Sequence, residues 1–239
     1  MPCFYAGMNG LTHAATAMLA QEKRLDSITA NLANANTPGF KRRMSASHGA
    51  FMGRLNAAQI GLEMMQRNDF TQGPLLESGN PLDLGIQGEG FFAIESPDGE
   101  VYTRNGEFQM TGEGVVVTTE GYPVIWDGVQ ANIQPTGEAI VVDREGMVTQ
   151  GNRQLGKLRL VGFEDMDKLD NNKDGYWVAP AELPRERATG KFVQGAIEGS
   201  NVNSVSELVA MISVQRKFEQ ASQIITQIDR SYQRLNGSN

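Results

Sequence analysis

Among the residues able to do chemistry, the most ordered set is Asp170-Asn171-Asn172-Lys173-Asp174-Gly175. Oxygen-bearing side chains stand at alternate positions, Asp170, Asn172 and Asp174, and a glycine follows, as in the opening half of a calcium loop. The closing half is missing. Ala181 stands where a bidentate glutamate should be, and no helical pattern flanks the segment. A polar turn leading into Tyr176-Trp177-Val178 is the better reading, and no metal is expected. His13 lies among the alanines of a helical stretch and His48 in a mixed one, neither in a recognisable catalytic setting. Gly85, Gly88 and Gly90 lack the spacing of a dinucleotide loop and lead into a β pattern rather than a helix, so they read as turn glycines. Cys3 has no second cysteine to pair with or to build a thiolate metal site. No cofactor and no enzymatic activity are expected.

The elements that would carry any site are clearer than the site itself. Over Met8 to Ala35, Leu11, Met18, Leu25 and Leu32 recur every seven residues, with Ala14, Ile28 and Ala35 at the companion positions and Gln21 interrupting. This heptad seam predicts a long helix that packs along another helix. Thr37-Pro38-Gly39 stops it, because Pro38 pushes Thr37 out of helical backbone and Gly39 favours a turn. A second seam runs from Asn203 to Asn236. Met211, Phe218, Ile225 and Tyr232 hold one heptad position, and Val214, Ala221, Ile228 and Leu235 the other. Val205, Leu208, Val209 and Ile212 extend an apolar stripe in a shifted phase, and Asn201 or Asn203 would cap the start. Helices of these lengths would be roughly 40 and 50 Å long.

Between them the period changes to two. Leu82, Leu84 and Ile86 alternate, Phe91 to Glu95 is a strand, and Ser96-Pro97-Asp98-Gly99 turns it toward Val101-Tyr102-Thr103. Further short strands are expected at 115–119, 122–126, 139–142, 147–149 and 155–163, an antiparallel all-β unit with Phe91, Phe92, Tyr102, Phe108 and Trp126 in its core. Four segments follow: an axial helix and motif over 1–40, a linker over 41–79 that holds a short helix near Gly61–Met65, a β-rich domain over 80–195, and a second axial helix over 196–239. The fold class is α+β. The terminal helices pair in a coiled-coil-like layer and the β domain is inserted between them. A seam alone cannot offset the entropy of ordering its helix, so each needs a partner, within one monomer or in neighbouring copies of a polymer.

Bulk properties narrow the classes. The chain has 239 residues, 27 of them glycine, and a net charge of −7 without any Lys/Arg-rich run, which disfavours nucleic acid. No stretch reaches the ~18 apolar residues of a membrane span. The amino terminus lacks the basic-then-apolar order of a cleavable signal peptide.

The run Ile28-Thr29-Ala30-Asn31-Leu32-Ala33-Asn34-Ala35-Asn36-Thr37-Pro38-Gly39-Phe40-Lys41 resembles the amino-terminal signature of bacterial flagellar rod and hook proteins. Three further stretches agree in order. The segments Gly79 to Phe92 and Tyr102 to Phe108 resemble the entry and next strand of that family's β domain. Gly199-Ser200-Asn201-Val202-Asn203 with Glu207 to Phe218 resembles its carboxy-terminal helix. The resemblance implies a structural subunit of the flagellar basal-body rod. Such a subunit is exported without a cleavable signal through the flagellar type III apparatus and polymerises into a helical tube in the periplasm. Its partners would be other rod subunits, copies of itself, and hook-side or ring proteins. The chain's length disfavours the hook. It and Glu198-Gly199-Ser200-Asn201 point slightly to the proximal rod type, although Thr71 to Phe92 looks as much like the distal type. Asn31, Leu32, Asn34, Thr37, Gly39 and Phe40 would form the assembly motif. Asn31 and Asn34 sit on the polar side of the seam and are expected to bond across subunits, while Gly39 and Phe40 make an anchored turn. A monomeric β-rich binding module or adhesin is the alternative; it would need no terminal seams.

Overall fold

The computed structural model describes residues 3–47, 64–128, 131, 133–135, 137–172 and 175–236. The fold is α+β, and the chain divides into two compact units. The first contains residues 1–35, 42–69 and 202–239; the second contains residues 36–41 and 70–201.

In the first unit, helix α1 spans Cys3–Ala33 and helix α2 spans Ser204–Asn236, and the two pack against one another. α2 starts where the Asn203 side chain accepts from Ser206 N (3.0 Å), which satisfies one of the amides that a helix start leaves open. Of the two proposed caps Asn203 takes the role. Asn201 instead donates to the Thr71 carbonyl within the second unit. The unit also holds an antiparallel ribbon, Arg42–Ser47 paired with Met64–Asp69. The structure here differs from the linker expectation. Mixed polar and Met-rich segments carry no clean alternation, yet they pair as strands. Met64 and Met65 are extended, and the rest of the expected Gly61–Met65 helix lies outside the described residues.

The second unit is all β. Its largest sheet has six antiparallel strands in the order 170–171, 177–178, 99–103, 91–96, 160–162 and 186–187. Phe91–Ser96 sits inside that sheet, with Phe91 to Ile94 covered on both faces. Phe92 and Ile94 join the larger core, with Leu84, Phe108, Trp126 and Phe192; Phe91 and Ala93 join the smaller, with Tyr102, Phe163 and Trp177. Alternate residues point to opposite faces, so a strand buried on both sides must be apolar throughout, and Phe91-Phe92-Ala93-Ile94 is. Burying each large side chain of this kind contributes about 1.5–3 kcal/mol. The expected strands at 91–95, 101–103, 115–119, 139–142 and 147–149 are present within a few residues. The expected 155–163 strand is two, Arg153–Lys157 and Leu160–Gly162, and 122–126 makes only isolated bridges. Two-stranded pairings of Leu75–Glu77 with Ala196–Glu198, and of Leu84–Gln87 with Lys191–Gln194, close the unit by joining its first and last strands.

Candidate functional site

Residues 36–41 of the amino-terminal motif belong to the second unit, where Gly39 makes a close approach. Its φ of 70° lies in the left-handed region, and a Cβ there would stand 2.3 Å from Asn105 N and 2.5 Å from the Arg104 carbonyl carbon. Only glycine allows this approach. Gly39 N donates to the Glu198 carbonyl at 2.7 Å, and Phe40 N donates to the Thr37 carbonyl at 3.3 Å, closing the turn that Pro38 begins. The chain then carries Lys41 into the interior, where its side chain is almost wholly buried.

Lys41 Nζ donates to Glu198 Oε1 at 2.6 Å and to the Thr71 carbonyl at 2.8 Å. Gly73 N donates to the same carboxylate oxygen at 2.8 Å, and Arg104 Nη1 donates to Oε2 at 3.0 Å. Glu198 has no exposure at all. A buried carboxylate costs several kcal/mol unless paired and hydrogen-bonded, and Glu198 is both. Two cations share this one anion. The surplus positive charge is met in part by the Phe91 ring, whose centroid lies 5.2 Å from the Arg104 guanidinium carbon. Burial pulls the Arg104 guanidinium below its ordinary value, and Glu198 opposes that pull. Arg104 Nε is buried with no hydrogen-bond partner among the described residues. The cluster thus ties together four stretches far apart in sequence: 39–41, 71–73, 104 and 198.

A second clamp lies in the first unit. Asn31 is 1% exposed. Its Nδ2 donates to the Arg43 carbonyl at 2.9 Å and its Oδ1 accepts from Arg43 N at 2.7 Å, so the end of α1 is pinned to the strand that follows. Asn31 is thus buried and not exposed on a polar side of the seam as expected, and both ends of its amide are engaged by Arg43. Asn34 donates to the Ala30 carbonyl at 2.8 Å, Leu32 and Phe40 are half-buried, and Thr37 is exposed. Arg42 Nε donates to the buried Glu207 at 2.6 Å. Consecutive basic residues, Lys41 and Arg42, therefore each hold a carboxylate of the 198–207 stretch, one in each unit.

The seams are less completely buried than heptads between two helices alone would give. Ile28 and Val214 are buried, Met18, Leu25, Met211 and Ile225 half-buried, and Phe218 is 42% exposed. The side chains of Leu11, Ile228, Tyr232 and Leu235 lie outside the described ones. Leu19, Val205, Leu208, Val209, Ile212 and Ile224 are exposed as well.

At the calcium-like turn, Asn172 Oδ1 accepts from Tyr176 N at 2.8 Å, which makes it a turn-forming side chain, and Asp170 is exposed at a strand end. Asp174 lies outside the described residues. No group of three or more His, Cys, Asp or Glu side chains is placed to hold a metal among the described residues. Gly88 and Gly90 have φ values of 99° and 133°, as turn glycines should, whereas Gly85, expected as a third, lies within the strand Leu84–Gln87.

Lys41 appeared in the motif, yet nothing in the sequence pairs it with Glu198 or Arg104. The signal that could have found them is weak: a charged residue next to obligatory glycines, as in Gly39-Phe40-Lys41 and Glu198-Gly199.

Comparison with known proteins agrees along the chain. Residues 5–41 match the flagella basal body rod protein family, residues 85–150 the flagellar hook protein FlgE/F/G D1 domain, and residues 193–238 the flagellar basal body rod FlgEFG protein C-terminal family. The flagellar basal-body rod protein FlgG of Agrobacterium fabrum is 35% identical, with 93% of this chain and 96% of that protein covered. FlgF of Caulobacter vibrioides is 32% identical, covering 91% and 92%, and FlgG of Bacillus subtilis is 31% identical, covering 97% and 96%. No helix among the described residues is long and apolar enough to cross a membrane. With three family matches in order and relatives aligned over nearly their full lengths, the chain belongs to the flagellar basal-body rod proteins and is a structural, non-enzymatic subunit of the basal body.

Proposed function

We propose that the subunit polymerises helically through α1 and α2, joins copies of itself and other rod subunits in the periplasm, and transmits torque from motor to hook. Export through the flagellar type III apparatus without a cleavable signal, contacts with hook-side or ring proteins, and a place in the proximal rather than the distal rod belong to the same reading. The observation that carries it is the apolar surface left uncovered when α1 packs on α2. Val205 is 71% exposed, Leu208 46%, Val209 63% and Ile212 52%. Apolar residues spaced i, i+3, i+4 and i+7 on an exposed face signal a further helical partner. Contacts that join unlike patches without closing a ring build a filament.

In this reading the assembly motif works from inside the subunit. Asn31 fixes the end of α1, and Gly39 to Lys41 lock the following chain to Glu198. The seams Leu11, Met18, Leu25 and Ile28, and Met211, Val214, Phe218, Ile225, Ile228, Tyr232 and Leu235, form the coiled-coil-like layer with neighbours. The test is the Val209→Glu/Ile212→Glu chain, expressed in cells lacking their own copy. The expected result is a folded protein that fails to enter isolated basal bodies and leaves cells non-motile. Normal incorporation would overturn the reading.

A further inference from the structure

The β unit carries an open cleft of about 480 Å3 that the rod reading leaves unused. Arg144, Lys157, Arg159, Arg185, Arg187 and Lys191 line it. The acids in the lining are fewer: Asp127, Glu145 and Glu186. Arg159 is held by Glu100 at 3.5 Å, and Arg185 donates to the Tyr102 hydroxyl at 2.6 Å. Arg144, Lys157, Arg187 and Lys191 have no ion pair among the described residues. A concentration of positive charge in a chain of net charge −7 marks a place where an acidic partner is attracted and others are repelled.

The same unit displays a matching acidic turn. Glu164, Asp165 and Asp170 flank the short helix Met166–Lys168, which itself carries Asp167; Lys168 pairs with Asp165 at 3.2 Å, and Glu164, Asp167 and Asp170 are exposed, so the turn keeps a net negative charge. Phe163 and Leu169 fix the two ends of the turn in the smaller core. Both ends of the turn are therefore anchored by buried side chains. Net-negative subunits repel one another at long range, and a local contact of opposite sign offsets that repulsion. A filament also needs two different patches on each subunit, and the basic cleft and acidic turn supply such a pair.

We propose that the cleft receives the Glu164–Asp170 turn of a second copy of this chain, giving the polymer a charge-matched contact between β units besides the one between helices. This rests on the polymer reading above. Anchoring of its two ends limits the entropy that the turn loses on docking. The contact sets the angular register of neighbours, because a mismatched step places carboxylate against carboxylate.

The test uses full-length chains in cells lacking their own copy. In a Cys3→Ser background, Lys191→Cys and Asp167→Cys are combined and the cells oxidised mildly. A ladder of disulfide-linked multimers is expected from the double variant and from neither single variant, since the bridge requires Cα atoms within about 7 Å. In parallel, Arg187→Glu/Lys191→Glu should lower incorporation into basal bodies about tenfold, and adding Glu164→Lys/Asp167→Lys should restore it. No ladder, with the cleft-reversed variant incorporated like wild type, would overturn the proposal and leave the helix-mediated polymer standing. If the unaltered chain itself is absent from basal bodies, the polymer reading fails and this contact with it. Thermal melts of each purified variant separate folding loss from docking loss. Should a charge-reversed chain melt early, the presence or absence of the ladder decides.

Discussion

The two units meet the same physical demand in opposite ways. The β unit closes on itself: two apolar cores cover both faces of Phe91 to Ile94, and a fully buried Glu198 is held by Lys41, Gly73 and Arg104 of the same unit. The helical unit does not, since its longest elements leave Val205, Val209, Ile212 and Phe218 open to solvent. In the proposed polymer this difference separates stability from assembly. Interior ion clusters and aromatic cores hold a subunit's shape, while uncovered heptad-like faces store the free energy that a neighbour releases by covering them.

The strongest way to break the comparison is at Glu198. Glu198→Ala leaves Lys41 and Arg104 buried without their anion and is expected to destabilise the β unit by about 3–5 kcal/mol. Urea unfolding followed by the fluorescence of Trp126 and Trp177, both in that unit, measures it. An effect below about 1 kcal/mol would show that the cluster is not what holds the motif in place. Next comes Gly39→Ala. Its left-handed backbone alone costs about 1–2 kcal/mol, and the clash with Asn105 adds to that. The same unfolding curve reads it.

Two smaller effects sharpen the contrast. Val209→Glu/Ile212→Glu should move the β-unit melt by no more than about 0.5 kcal/mol, because both side chains are exposed in the free subunit, while it abolishes incorporation. Alkaline titration gives the smallest signal. Burial raises the pKa of Tyr102 and of Tyr176, the latter helped by its hydrogen bond to Glu120. Both hold their protons more tightly folded than unfolded, so their contribution is complete below the ordinary tyrosine pKa of about 10 and is lost as pH rises beyond it. Tyr176→Phe should flatten that alkaline loss, a change readable from melting temperatures between neutral pH and pH about 11.

The terminal helices were legible because heptads recur over several turns, with Gln21 the one interruption in the first, and Asn203 stands where a cap should. The central strands were legible where alternation or a Pro-Asp-Gly turn marked them. The pairings that close the β unit were not. Leu75–Glu77 and Ala196–Glu198 are too short to show a period, and their partners lie more than a hundred residues apart. The ribbon at 42–47 and 64–69 was hidden because residues such as Arg42, Arg43, Gln66 and Asn68 read as solvated coil until a partner strand is present. The assembly motif was found by resemblance, but the inward role of Asn31 was not. A polar residue on a helix end reads as solvated unless the following strand turns back on it, and only the fold shows Arg43 doing so. The Lys41–Glu198–Arg104 cluster escaped for the same reason: charge pairs across long sequence separations leave no local pattern.

The central claim is that the terminal helices complete their packing on other subunits. Cryo-electron microscopy of basal bodies from cells producing this chain tests it most directly. The account predicts α1 and α2 in the inner layer of the rod, with Val205, Val209 and Ile212 buried against helices of adjacent subunits. Finding those side chains facing solvent in the assembled rod, with the contacts made elsewhere, would contradict it.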